Sequence, residues 1–259
     1  MAKKSDATRA KAEQLRAAQA KQDAKTRNIL IAIVFALVAL TLVLAFWVIW
    51  NSKDKAGVAP APTEVTAFVV SADGVGKEKA GVPTVDEYFD YSCHACADID
   101  GFIGTQMSEA VAAGKYNIRY IPVTVVGMPW HYVASHAASV TYAEAPESFV
   151  KFHHSLLAFF KTQFDSKDVS VIQNDQASLE KVKELAKEAG VPEEVIAKFD
   201  AKASVGLLET NKKVWQDSAP AGRESLGTPE FQVNKKVVKL DGKSIEELYA
   251  NFEKDVLAK

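Results

Sequence analysis

The chain has 259 residues, of which 48% are hydrophobic and 25% charged, a balance typical of a folded protein and not of a disordered one. Its net charge of −2 hides an asymmetry, because residues 1–27 carry a net charge of +5 and residues 51–259 carry −7. The larger part has no basic excess, so we exclude nucleic acid as its partner.

Residues 29–50 are an apolar segment without a charged side chain. At about 1.5 Å per residue, a helix of this length crosses a hydrocarbon core about 30 Å thick, so we predict a single transmembrane helix in the lipid bilayer. A secretory signal peptide fits less well, since its apolar region has only about 7–15 residues, but cleavage of the anchor stays open. The basic residues 1–28 are predicted to be a cytoplasmic tail, which places the rest of the chain outside the cell membrane.

A linker over residues 51–64 precedes the predicted globular part. Residues 65–70 predict an edge strand, and residues 85–91 predict a buried strand. A helical pattern from residue 96 to 114 leads to another strand over residues 116–123. This order predicts a βαβ unit with two parallel strands.

Residues 129–222 show helical periodicity, and strands return over residues 230–233 and 237–240. An amphipathic helix closes the chain, with Ser244 as its N-cap and Glu247 in the capping-box position. The predicted fold class is α/β, with residues 65–128 and 223–259 forming one domain that residues 129–222 interrupt as a helical insertion.

The only two cysteines, Cys93 and Cys96, form the sequence CHAC between a predicted strand and the start of a helix. A CxxC beside a βαβ pattern indicates a thioredoxin-like redox motif. Free cysteine titrates near 8.5, and the unpaired N–H groups at a helix N-terminus favour the reactive thiolate. We therefore expect Cys93 to be the exposed nucleophile and Cys96 the shielded, resolving thiol.

A metal site on the two cysteines would need two more ligands, and the sequence has no second CxxC. The histidines outside the CHAC sequence show no metal-ligand spacing with carboxylates, and we expect structural or surface roles for them (His131, His136, His153 and His154). We predict neither a metal nor an organic cofactor.

Two motifs resemble those of the DsbA-like thiol:disulfide oxidoreductases, in particular the membrane-anchored, single-pass members of actinobacterial type. One is the acidic-aromatic strand leading into CxxC, EYFDYSCHAC over residues 87–96, and the other is GTPEFQVN over residues 227–234. The resemblance covers about residues 65–259. It implies a thioredoxin-like fold, a redox disulfide between Cys93 and Cys96, and a cis proline at Pro229.

Four further residues acquire expected roles. We expect His94 to tune the site by donating to the Cys93 sulfur, although the family's strong oxidants place a histidine directly before the second cysteine. The resemblance implies that Glu87 assists proton transfer to or from Cys96, and that the Thr228 backbone, turned by Pro229, pairs with a client peptide. Glu230 is expected to add negative charge beside the site.

The favoured function is oxidation of cysteines in exported proteins, with reoxidation by a membrane partner. The same chemistry could run in reverse, in an extracytoplasmic reductase or isomerase that a membrane partner reduces. A third possibility is a membrane-tethered binding module whose disulfide is purely structural. The sequence leaves the three open, because the intervening residues of CxxC set the redox potential and a His-Ala pair has no reference value.

Overall fold

The structure is a computed structural model that describes residues 66–201 and 203–258. The predicted tail, transmembrane helix and linker lie outside these residues. Within the described part of the chain, no helix has the length and apolar character needed to cross a membrane.

The described strands form one mixed sheet with the order β2-β1-β4-β3-β5-β6. Only β3 and β4 are parallel, as predicted, and the other neighbours run antiparallel. The predicted edge strand is wrong: β1 lies between β2 and β4, because a short turn brings β2 back along its outer side. The strands are β1 (Phe68–Ser71), β2 (Gly74–Val75), β3 (Thr84–Phe89), β4 (Asn117–Pro122), β5 (Glu230–Val233) and β6 (Lys236–Val238).

The described helices largely follow the sequence pattern. Pro146 begins α3, where its missing N–H removes no helical hydrogen bond, and it therefore separates α2 from α3 as predicted. The Ser244 hydroxyl caps α7 by accepting from Glu247 N at 3.2 Å. The helices are α1 (His94–Ala112), α2 (Pro129–Glu144), α3 (Pro146–Ser166), α4 (Asp175–Ala189), α5 (Glu193–Ile196), α6 (Val205–Asp217) and α7 (Ile245–Leu257).

Alternation along β3 assigns its side chains to two cores. Val85 and Phe89 belong to the main core, which also contains residues of α1, α2 and α3. Tyr88 points to the other face and stacks on Trp215 of α6, with ring centroids 6.0 Å apart. Both faces of the central strands are therefore covered, which fixes the end of β3 from which the CHAC sequence emerges.

The carboxyl ends of β3 and β4 lie side by side, because the two strands are parallel and pair from Thr84–Asn117 through Phe89–Pro122. Val123 N extends the pairing by donating to Phe89 O at 2.8 Å. The CHAC turn after β3 and the loop after β4 therefore meet at one edge of the sheet.

Candidate active site

Cys93 is the N-cap of α1, in an extended conformation with φ −93° and ψ 118°. Its Sγ accepts a hydrogen bond from Cys96 N at 3.4 Å and donates one to Thr228 O at 3.3 Å. Both cysteines carry free thiols. Cys93 is less exposed than expected, at 7%, but Cys96 is more deeply buried, at 1%.

The surroundings of Cys93 favour its thiolate. Hydrogen bonding by the Cys96 side chain is the largest influence and lowers the pKa of Cys93. Burial raises the pKa, the Thr228 side chain and the Cys96 backbone N–H lower it further, and the net result is a pKa of about 6. At pH 7 a thiol with this pKa is about 90% ionised.

Cys96 has the opposite character. Burial raises its pKa well above the ordinary value for a thiol, and the neighbouring Cys93 sulfur raises it further. One sulfur is therefore ready to attack at neutral pH, while the other keeps its proton. This asymmetry is what a nucleophile and a resolving thiol require.

The Thr228–Pro229 peptide bond is cis, as the resemblance implied. Thr228 is 135 residues from Cys93 in sequence, and its carbonyl oxygen lies within hydrogen-bonding distance of the sulfur. An open groove of about 480 Å³ adjoins this bond; Thr228, Pro229 and residues at the end of β6 line it, and neither cysteine does.

The polar contacts of the His94 ring are with carboxylates and not with the Cys93 sulfur, to which it was expected to donate. Its Nε2 lies 3.3 Å from carboxylate oxygens of both Asp98 and Asp165, and its ring stacks on Phe164 with centroids 4.4 Å apart. The hydrogen bonds of the Cys93 side chain in the described structure go to Cys96 and Thr228. Direct donation from His94 is not among them, and its effect on the redox potential stays a prediction.

Glu87 is buried, with 5% of its surface exposed, on the face of β3 that it shares with Val85 and Phe89. Burial raises the pKa of its carboxyl well above the ordinary value, and the charge of Asp100 raises it further. Its surroundings therefore favour the neutral, protonated form of Glu87. Within the described residues no hydrogen bond joins it to Cys96, so its role in proton transfer stays a prediction.

Asp90 is a further component of the site, to which the sequence pattern alone assigned no role. The residue is fully buried, and its Oδ1 accepts from Ser92 N at 2.7 Å. Its Oδ2 accepts from three successive backbone N–H groups of the loop after β4, at 2.8, 2.8 and 3.3 Å from Val125, Val126 and Gly127. One carboxylate thus holds the CHAC turn and the adjoining loop together.

His131 of α2 completes the buried Asp90 cluster. Its Nδ1 lies 3.0 Å from Asp90 Oδ1, and both side chains are inaccessible to solvent. Burial raises the pKa of Asp90, but the charge and hydrogen bond of His131 and the backbone donors outweigh burial and hold the pKa below the ordinary value. The only sign of this cluster in the sequence was the acidic residue within the aromatic motif. Its partner, His131, is 41 positions further along the chain.

The expectation that Glu230 charges the site is wrong. Its carboxylate is buried, 6% exposed, and accepts from Trp215 Nε1 at 2.9 Å and from Arg223 Nε and Nη2 at 2.8 and 2.7 Å. Burial raises its pKa, yet these donors and Gln232 together hold the pKa below the ordinary value. Glu230 is an ionised partner of Arg223 that supports the strand after Pro229, and its charge is compensated.

Comparisons with known proteins agree with this fold. The family model described as thioredoxin matches residues 72–251. No curated protein sequence is significantly similar to the chain.

Solved structures with the same fold include two proteins described as MdbA, a thiol-disulfide oxidoreductase. MdbA of Actinomyces oris has 24% identity and a TM-score of 0.54, over 72% of this chain and 85% of that chain. MdbA of Corynebacterium diphtheriae has 17% identity and a TM-score of 0.52, over 73% and 94%. BdbD of Bacillus subtilis, in its oxidised form, has 21% identity and a TM-score of 0.52, over 73% and 92%.

The family match covers more than half of the chain, and the solved structures share the predicted thioredoxin-like fold with its helical region. The protein therefore belongs to the thioredoxin family.

Proposed function

We propose that the protein introduces disulfide bonds into exported proteins through the Cys93–Cys96 pair. A client thiolate attacks Sγ of Cys93 in the disulfide, the Cys93–Cys96 bond breaks, and the sulfur of Cys96 leaves and takes up a proton. A second client thiolate then attacks the client sulfur of the mixed disulfide and releases Cys93 as a thiolate. The client loses two electrons and the CHAC pair gains them.

The observation that carries this proposal is the contrast between the two thiols. Cys93, with a pKa of about 6, is a good leaving group when the second client thiolate attacks. Cys96, whose pKa burial raises, holds its proton once it has left. A purely structural disulfide requires neither property.

Client binding is proposed to use the Thr228 backbone. When Cys93 is protonated, its thiol donates to the Thr228 carbonyl. When the Cys93 sulfur is bonded to a client it has no proton to donate, so this carbonyl becomes available to a client N–H. Val125, Val126 and Leu226 are about half exposed in the two loops that adjoin Asp90 and Thr228, and they offer apolar contacts beside the cysteine of the client.

Glu87 is proposed to move the proton of Cys96. A carboxyl whose pKa is raised by burial holds a proton that it can donate when Cys96 leaves as a thiolate, and it can accept a proton when the dithiol is reoxidised. The proposed location is extracytoplasmic, anchored through residues 29–50, because the basic residues lie before the apolar segment. That compartment permits disulfides, and a membrane partner would reoxidise the dithiol.

A specific observation also supports the second candidate, a reductase or isomerase. A fall in pKa from about 7, as in thioredoxin, to about 6 stabilises the reduced state at pH 7 by about 1 kcal/mol. This corresponds to about 20 mV, whereas the reference potentials of thioredoxin and DsbA differ by about 150 mV. The thiolate of Cys93 alone therefore does not make the protein a strong oxidant.

The redox potential of the full chain decides between these two directions. A potential near about −120 mV supports the oxidant and one near about −270 mV supports the reductant. Clients are captured with Cys96→Ala, which leaves Cys93 to form mixed disulfides that cannot be resolved; Cys93→Ala is the matched control. Absence of covalent adducts with exported proteins in cells would contradict both directions and leave the structural disulfide.

A further inference from the structure

A second cluster of ligand-type side chains lies away from the two cysteines, where α1 packs on α3. Asp100 of α1 and the consecutive His153 and His154 of α3 each bring one ligand atom within 4.8 Å of the others. In the described part of the chain no other group of three such residues meets this spacing. His153 is fully buried, and the side chains of Asp100 and His154 are 12% and 27% exposed.

The space for this cluster is made by a glycine inside a helix. Asp100, Gly104 and Ser108 are one helical turn apart on a single stripe of α1. The ring of His154 spans this stripe, with Nδ1 2.6 Å from Asp100 Oδ1 and Nε2 3.1 Å from Ser108 Oγ. A Cβ atom at position 104 would lie 2.8 Å from Asp100 Oδ1 and 3.4 Å from His154 Cε1.

Each imidazole has a hydroxyl on the nitrogen that does not face the cluster. His153 Nδ1 is 2.8 Å from the Tyr91 hydroxyl, and His154 Nε2 pairs with Ser108. When these nitrogens donate to the hydroxyls, the lone pairs of His153 Nε2 and His154 Nδ1 are left for the cluster. Hydrogen bonding of the second ring nitrogen is the usual way in which proteins orient a metal-binding histidine.

Two nitrogen atoms in this arrangement have a lone pair without a suitable partner. His153 Nε2 is buried without any hydrogen-bond partner. When His154 Nε2 donates to Ser108 Oγ, its Nδ1 directs a lone pair at Asp100 Oδ1, which is only 2.6 Å away. A cation between these groups would satisfy both, since it would accept the two nitrogen lone pairs and compensate the carboxylate.

We propose that Asp100, His153 and His154 bind a divalent transition-metal ion, for which zinc fits best. Two imidazoles and one carboxylate are a donor set that zinc favours, and water from the side of the partly exposed His154 would complete a tetrahedron. The ion would fasten α1, whose first turn holds the redox pair, to α3. The sequence expectation of no metal overlooked the site, because Asp100 is more than fifty residues from both histidines.

Zinc binding by the full chain tests this proposal. Thiolates also bind zinc, so the reference protein carries Cys93→Ser and Cys96→Ser, which makes the result independent of the proposed redox function. Zinc is titrated in competition with a chromophoric chelator. We expect one zinc ion per chain, a melting temperature that rises with zinc, and a loss of affinity of about tenfold or more in Asp100→Asn and His153→Gln.

His136→Gln is the matched control, since His136 lies on α2 outside the cluster and bonds Asp200 N. Its zinc affinity should equal that of the reference. If the ligand variants do not fold, Ser108→Ala decides, because it keeps all three ligands and should weaken binding about tenfold through loss of imidazole orientation. The proposal is overturned if the folded reference shows no saturable zinc uptake. It is also overturned if zinc affinity is unchanged in Ser108→Ala or in ligand variants that fold. Either result would show an Asp100–His154 ion pair without a metal.

Discussion

The dependence of the redox potential on pH tests the environment of Cys93 most directly. The perturbation is a change of pH from 4 to 8. Below the Cys93 pKa of about 6, reduction of the disulfide takes up two protons with two electrons. Above it only Cys96 is protonated, because burial raises the pKa of that thiol. The slope should therefore fall from about 59 to about 30 mV per pH unit near pH 6.

The stabilisation involved follows from the same pKa. The thiolate contributes stability to the reduced form in full above the ordinary cysteine value of about 8.5, and this stability is lost as the pH falls through about 6. At pH 7 the contribution is about 1.4 kcal/mol, which equals about 30 mV. At pH 5 almost none of it remains.

The assay equilibrates the full chain with glutathione buffers at each pH and measures the reduced fraction by alkylation and mass spectrometry. His136→Gln, remote from the cysteines, should keep the break in slope at the same pH. A single slope of about 59 mV per pH unit through pH 8 would mean that Cys93 stays protonated, and it would refute the reasoning from the Cys96 and Thr228 contacts.

Four substitutions test the three buried carboxyl groups. Asp90→Ala should lower the free energy of unfolding by about 3–5 kcal/mol, because it leaves four backbone N–H groups without their acceptor and removes the carboxylate beside His131. A loss of less than about 1 kcal/mol in denaturant unfolding would contradict this role. Arg223→Ala should lower the free energy of unfolding by a similar amount, because it leaves the Glu230 carboxylate buried without its ion-pair partner. The double variant Arg223→Ala, Glu230→Gln should recover part of this stability. Because the pKa of Glu87 is raised in the folded state, the stability of the wild type falls as the pH rises above about 4.3. Glu87→Gln should therefore be more stable than the wild type at pH 7 and equally stable near pH 4. Equal stability at both pH values would argue against a buried neutral acid at this position.

Local patterns predicted the order of the main elements, although not β2, and indicated Cys93 and Cys96 as candidate reactive residues. Four features depend on interactions within a few residues: the strand before Cys93, the helix that begins directly after it, the boundary at Pro146 and the cap at Ser244. Short-range sterics and capping hydrogen bonds act in any fold, so their signals are readable in the sequence. The resemblance added the cis Thr228–Pro229 bond.

The partners of the buried charges depended on tertiary structure. Pairing of β3 with β4 brings the loop after β4 to Asp90, and packing of α2 brings His131 to it. Glu230 was expected to add charge beside the site, but tertiary packing buries it as the ion-pair partner of Arg223. A buried carboxylate needs specific donors because no water is available to solvate it, and nothing local in the sequence specifies which distant residues will provide them.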